Sequence, residues 1–250
     1  MIEAMNDLER QNDDRSAELA DNLNAIRDQI KVAAQAIGRD PSEVSLTVVT
    51  KTYPVDDVVR LYRLGVKDFA ENRDQEAAPK AATFAEFADA GDDVTWHFVG
   101  QAQTNKTNSI VRYARVVESV DRPKLARALD KSATNKGIDA ISCLIQVNLD
   151  PDAPQDRGGA QPDSVSELAD VIAQSDSLNL GGVMAVAPLG ADPAQSFEKL
   201  AKIHQKLLQN HPEAGMMSAG MSSDFELAIK FGATHVRLGA AVLGQRESLR

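Results

Sequence analysis

Lys51 stands directly after the apolar, β-branched run Leu46-Thr47-Val48-Val49-Thr50, where a buried strand opens into the loop Thr52-Tyr53-Pro54. An ammonium partly removed from water at such a point favours its free amine, the form that condenses with an aldehyde to give an imine. The same position also suits a lysine whose stem lies along the strand end while its head reaches solvent. A second group is Met217-Ser218-Ala219-Gly220-Met221-Ser222-Ser223-Asp224-Phe225-Glu226, a strand end, a Gly-containing turn and a helix start. Ser223 and Glu226 have capping-box spacing. A helix beginning there offers free N–H groups and a positive dipole end to a phosphate, or is an ordinary serine cap. A third group is His235-Val236-Arg237-Leu238-Gly239-Ala240-Ala241. Arg237 is a permanent cation in an apolar strand and needs either an acidic side chain or the ring nitrogen of a pyridine cofactor, while Gly239 lets backbone approach a ligand. An imine-forming lysine, a phosphate seat and a nearby arginine together suit pyridoxal 5'-phosphate (PLP).

Two further strand ends carry polar groups. Asn72, in Glu71-Asn72, is placed to hydrogen-bond a ring hydroxyl. His97, in Trp96-His97-Phe98-Val99-Gly100, either lies close to the ring or is a satisfied core histidine. His204, His211 and His235 have no metal-ligand spacing with another His, Cys or carboxylate, and no nucleophile-elbow, Walker or dinucleotide fingerprint is present.

These residues need elements to hold them. Leu19, Leu23, Ile26, Ile30, Ala34 and Ile37 recur at helical spacing and Gly38, Asp40 and Pro41 end the pattern, predicting an opening helix preceded by a flexible polar tail over 1–15. Apolar runs at 46–50, 66–70, 94–99, 116–119, 143–148, 180–187, 216–219 and 235–238 then alternate with helical segments. That alternation, with strands apolar on both faces, predicts an α/β chain whose parallel strands close as a single (β/α)8 TIM-type barrel over 16–250 with an extra N-terminal helix. The position after the first strand lacks the Gly-rich turn expected of an open doubly wound sheet. The Pro-, Asp- and Gly-rich stretch 150–162 reads as a flap over the barrel mouth.

With 250 residues, 43% of them apolar, the chain can bury one sizeable core. A net charge of −10 without a basic run argues against nucleic acid and membrane partners. A single cysteine, Cys143, and the absence of an apolar leader predict a cytoplasmic protein.

At these residues the chain resembles the pyridoxal 5'-phosphate homeostasis family, the YggS/PROSC-type proteins, whose barrel is similar to the N-terminal domain of alanine racemase. The resemblance is carried by Val49-Thr50-Lys51-Thr52 with Pro54, Glu71-Asn72 with Gln75-Glu76, and Trp96-His97-Phe98-Val99-Gly100 with Gln103 and Asn105-Lys106. Met184 with Pro188, Ser218 with Gly220-Met221-Ser222, and Val236-Arg237 with Gly239 and Gly244 complete it. It implies PLP held as a Schiff base on Lys51, a phosphate among Ser218, Gly220, Ser222, Gly239 and Ala240, Arg237 toward the ring nitrogen, and Asn72 and His97 beside the ring. The chain departs from the family pattern at Ala70, Ala102, Ala219 and Ala240, and carries Arg157-Gly158 where Lys-x-Gly is common. The resemblance also implies a carrier that supplies cofactor to PLP-dependent apo-enzymes without robust catalysis, and the expectation of a monomer follows because no second domain demands a partner to complete the site. Set against it are a weak racemase-like PLP enzyme, using Tyr53, His97 or the flap as base, and a cofactor-free Schiff-base aldolase.

Overall fold

A computed structural model describes residues 2–87, 93–150 and 158–244 of the chain. Among them α1 (Ile2–Gln35) is followed by β1 (Ser45–Val49), α2 (Val55–Arg63), β2 (Asp68–Glu71), α3 (Asp74–Ala85), β3 (Thr95–Phe98), α4 (Thr107–Tyr113) and β4 (Ala114–Val120). Then come α5 (Pro123–Thr134), β5 (Ile141–Gln146), α6 (Val165–Ala173), β6 (Leu178–Met184), α7 (Pro193–Asn210), β7 (Met216–Ser218), α8 (Phe225–Lys230), β8 (His235–Leu238) and α9 (Ala240–Leu243). The strands pair in parallel and in sequence order, and β8 returns to β1, closing the barrel that the alternation predicts.

Local chemistry sets these elements. Pro123 and Pro193 open α5 and α7, where a missing N–H costs nothing, and Asp192 caps α7 by accepting from the Ala194 N–H at 2.9 Å. In α2, Asp56 and Asp57 lie in the first turn and Arg60 and Arg63 in the last, each sign suiting its end of the dipole. Along the strands side chains alternate between two faces. Val48, Phe69, Trp96, Val236 and Leu238 point out into an apolar layer under α1 and its neighbours.

The other strand face lines the barrel interior, with Val116, Leu144, Met184 and Met216 forming an apolar plug. Two residues further along β4 and β7 the same face carries Glu118 and Ser218. The interior therefore changes from apolar to polar toward the C-terminal mouth.

The opening segment differs from expectation, because helical backbone runs back to Ile2 through the stretch where a tail is predicted. Glu, Met, Leu, Arg and Gln are good helix formers, so the helix extends toward the N-terminus beyond the fully buried Leu19. Arg15 ties it down, donating to both Asp57 carboxylate oxygens at 3.2 and 2.7 Å and to the Leu243 carbonyl at 3.0 Å. Most of the predicted flap, including Arg157, lies outside the described residues. Among the described residues no helix is long and apolar enough to cross a membrane.

Candidate functional site

The mouth is built from the residues that follow the strands. Lys51 follows β1 by one turn residue and is exposed, so the partial desolvation expected for it does not come from the protein's own packing. Thr52 beside it has φ +72°, a left-handed conformation that β-branched residues rarely adopt. Around the closure, β8 lies beside β1 with Val48 opposite Leu238. A Cβ added to Gly239 would come within 3.1 Å of the Val49 carbonyl oxygen, so glycine is what lets the start of α9 sit against the strand that presents Lys51. Gly220, at φ +93°, turns the chain from β7, and its carbonyl accepts from the Arg237 N–H at 3.0 Å. Ser222 and Ala240 are exposed on this rim.

Ser223 and Glu226 do not form a capping box. The helix starts one residue later than that spacing predicts, with Asp224 at its N-cap, and Asp224 accepts from the Met221 N–H at 2.7 Å. Among the described residues the N–H groups of Ser222 and Ser223 meet no acceptor. The first N–H groups of α9 are free as at any helix start. The rim thus offers backbone donors to an anion from two neighbouring loops.

Beneath the rim lies a buried polar network. Glu118, fully buried, sits with Oε1 2.8 Å from His97 Nδ1, and its Oε2 accepts from the Ser218 hydroxyl at 2.6 Å. Arg237 donates to Ser218 Oγ at 2.6 Å and to the Ala185 carbonyl at 2.9 Å, with Glu118 Oε2 at 3.6 Å. The far nitrogen of His97 is 3.1 Å from Asp68 Oδ1. Burial opposes charge on His97, but its bonds to Asp68 and Glu118 outweigh burial and raise its pKa to about 9. Burial likewise resists ionisation of Glu118, yet His97, Arg237 and Ser218 hold its carboxyl down at about 2. Burial lowers the Arg237 pKa, opposed by Glu118. The network is an imidazolium, a carboxylate and a guanidinium locked together.

Of the residues singled out from sequence, Lys51, Asn72, Gly220, Ser222, Gly239 and Ala240 come to the mouth. Asn72, half-buried, follows β2, and its backbone is packed so tightly against Gly100 that a Cβ there would meet its carbonyl. His97 is buried, and both its ring nitrogens face carboxylates, Glu118 and the half-buried Asp68. The Ser218 hydroxyl is buried, donating to Glu118 Oε2 and accepting from Arg237. Arg237 takes the acidic partner, although two of its five N–H donors suffice for Ser218 and Ala185. Ala70, Ala102 and Ala219 are buried, so those departures concern packing, whereas Ala240 lies on the rim. Sequence reasoning missed Glu118 and Asp68. A carboxylate inside the apolar run Ala114-Arg115-Val116-Val117-Glu118-Ser119-Val120 was as anomalous as Arg237, and the same demand for a partner would have found it.

The family model described as alanine racemase, N-terminal domain, matches residues 22–247. A Mycobacterium leprae (strain TN) protein named pyridoxal phosphate homeostasis protein is 39% identical over 243 residues, spanning 92% of this chain and 94% of its own. Among solved structures, a protein from Bifidobacterium adolescentis described as unknown superimposes with a TM-score of 0.85 at 28% identity, covering 92% of this chain and 96% of that one. PipY of Synechococcus elongatus PCC7942, solved with PLP bound, gives a TM-score of 0.77 at 31% identity, covering 90% of this chain and all of that one.

Proposed function

The chain belongs to the pyridoxal phosphate homeostasis protein family, and from that premise we propose that it holds PLP as a Schiff base on Lys51, keeps this reactive aldehyde sequestered, and supplies it to PLP-dependent apo-enzymes without robust turnover of its own. The observation that carries the reading is the rim: an exposed lysine at the end of β1, beside a neighbouring strand end where Gly239 and the turn at Gly220 present free backbone N–H groups. When bound, PLP supplies an aldehyde that a primary amine takes up reversibly with loss of water. The residues present fit that group. Ser222, Gly220, Gly239 and Ala240 surround the phosphate, Asn72 meets the ring hydroxyl, and Arg237 offers a remaining N–H toward the ring nitrogen.

The same geometry favours a carrier over an enzyme. Carbanion chemistry needs a base with a free lone pair near the reacting carbon. Tyr53 spends its hydroxyl on the Gly244 carbonyl at 2.6 Å, and His97 is held as an imidazolium between two carboxylates. A guanidinium near the ring nitrogen also disfavours the pyridinium form that serves as electron sink. Every group in this reading comes from one chain, so the reading includes a monomer. A reducing cytoplasm suits the buried, unpaired Cys143.

The test is the visible spectrum of purified protein with PLP, before and after borohydride, beside Lys51→Ala. The expected result is a visible band that reduction fixes onto the Lys51 peptide and that the variant lacks. A colourless protein that takes up no PLP would overturn the reading, and amino-acid turnover abolished by Lys51→Ala would make the protein an enzyme.

A further inference from the structure

The backbone on both sides of Lys51 is fixed, and one of the groups that fixes it comes from another element. The Thr50 hydroxyl donates to Glu71 Oε1 at 2.7 Å, and the Thr50 carbonyl accepts from Lys80 Nζ, in α3, at 2.8 Å. The same ammonium is paired with Glu71 Oε1. Glu71 is fully buried and the Lys80 side chain is 9% exposed. The Thr50 carbonyl also accepts from the Tyr53 N–H at 3.0 Å, so both of its lone pairs are used. Between these anchors Thr52 keeps its strained φ, a conformation that persists only where the surroundings over-determine it.

Such a pair is poorly explained as a device for stability alone. Buried ion pairs are frequently no better than apolar side chains of similar volume, and here Glu71 Oε2 is buried without a hydrogen-bond partner among the described residues. What distinguishes this pair is its acceptor, the carbonyl of the residue that precedes Lys51. We propose that Lys80 is a positioning residue: with Glu71 it clamps Thr50 and so fixes the direction in which Lys51 projects over the mouth, presetting that amine for imine formation. The inference rests on Lys51 being the cofactor lysine. Lys80 itself, covered and engaged behind the strand ends, does not take the aldehyde.

Lys80→Met alone would leave the Glu71 carboxylate buried without a counter-charge, which endangers the fold. The test therefore uses Glu71→Gln/Lys80→Met, which removes both charges together, with Lys80→Arg as the conservative variant. Three measurements apply: PLP affinity, the share of borohydride-fixed adduct on Lys51 rather than on other lysines, and amide exchange without ligand. In the double variant PLP affinity falls about tenfold, the loss expected for one charge-assisted hydrogen bond. The adduct spreads to other lysines, and exchange quickens at 51–53 but not in β5 or β6. Lys80→Arg, which keeps a cation on the Thr50 carbonyl, recovers most of each. A folded double variant with wild-type affinity, wild-type adduct share and wild-type exchange at 51–53 overturns the proposal. If the double variant does not fold, Thr50→Val decides, since it deletes only the hydroxyl bond: quicker exchange at 51–53 supports the clamp and unchanged exchange rejects it. Wild-type protein that takes up no PLP while the variants still loosen 51–53 would sink the cofactor reading and leave the clamp standing.

Discussion

Arg237, Glu118, Ser218 and His97 stand on four different strands, and each is costly alone in a barrel interior. A lone buried charge costs several kcal/mol, whereas an interlocked set neutralises itself and can hold one donor in a fixed direction. Ser218 is the hinge of this arrangement, donating to Glu118 and accepting from Arg237. His97 gives the network a pH signature. Its folded pKa of about 9 lies above the ordinary 6.5, so the folded state binds this proton more tightly than the unfolded chain does. The stabilisation, of order 3 kcal/mol, is fully present below about pH 6.5 and is lost as pH rises through about 9. In urea melts at pH 6 and pH 9.5, wild type should lose stability between the two, while His97→Gln should start lower at pH 6 and fall less. A variant with the wild-type drop would show that His97 is not the titrating group.

The turns that follow β7 and β8 show what an element must give up to meet a ligand. Gly220 combines φ +93° with a position where a Cβ would approach Phe225 Cα to 2.7 Å and Ala228 Cβ to 2.8 Å. Gly232 has a similar φ, +100°, but open space around it. Gly220→Ala should therefore cost both strain and overpacking, about 2–5 kcal/mol, against about 1 kcal/mol for strain alone in Gly232→Ala. Only the Gly220 change should also weaken PLP uptake; thermal melts and the visible titration read the two effects separately, and equal losses would remove the packing argument. Strands such as β8 and the order of elements were legible in the sequence because apolar periodicity is local. Lys51 and the glycines of the rim were legible because a lysine at a strand end and a glycine in a turn are local anomalies too. The Glu118 to Arg237 pairing was not, since only closure brings β4 across from β8. Lys80 was hidden for another reason: in an exposed-looking helix a lysine reads as solvated, and nothing local says that it turns back to a strand carbonyl.

Closure of the whole barrel is thinnest where the proposed phosphate seat lies. β7 has three residues, and it registers with β8 through the single pair Ser218 and His235. The seam is braced from outside by α1, which packs against α8 and α9. Leu23, Ile26 and Ile30 share an apolar cluster with Phe225, Ile229, Val242 and Leu243, and Asn22 donates to the Val242 carbonyl at 3.1 Å. The opening helix thus holds the two short helices that follow the rim loops. Leu23→Ala should cost about 2–5 kcal/mol, as large-to-small changes in a packed core do. Leu168→Ala, in α6 and equally buried at 1%, removes the same side chain away from this seam. Both variants should melt earlier, but only Leu23→Ala should speed amide exchange at 216–220 and 235–243 ahead of β4 and β5, and release PLP at temperatures where the barrel is still folded. If the two variants release PLP in step with global unfolding, α1 stabilises the barrel uniformly and has no particular hold on the ligand.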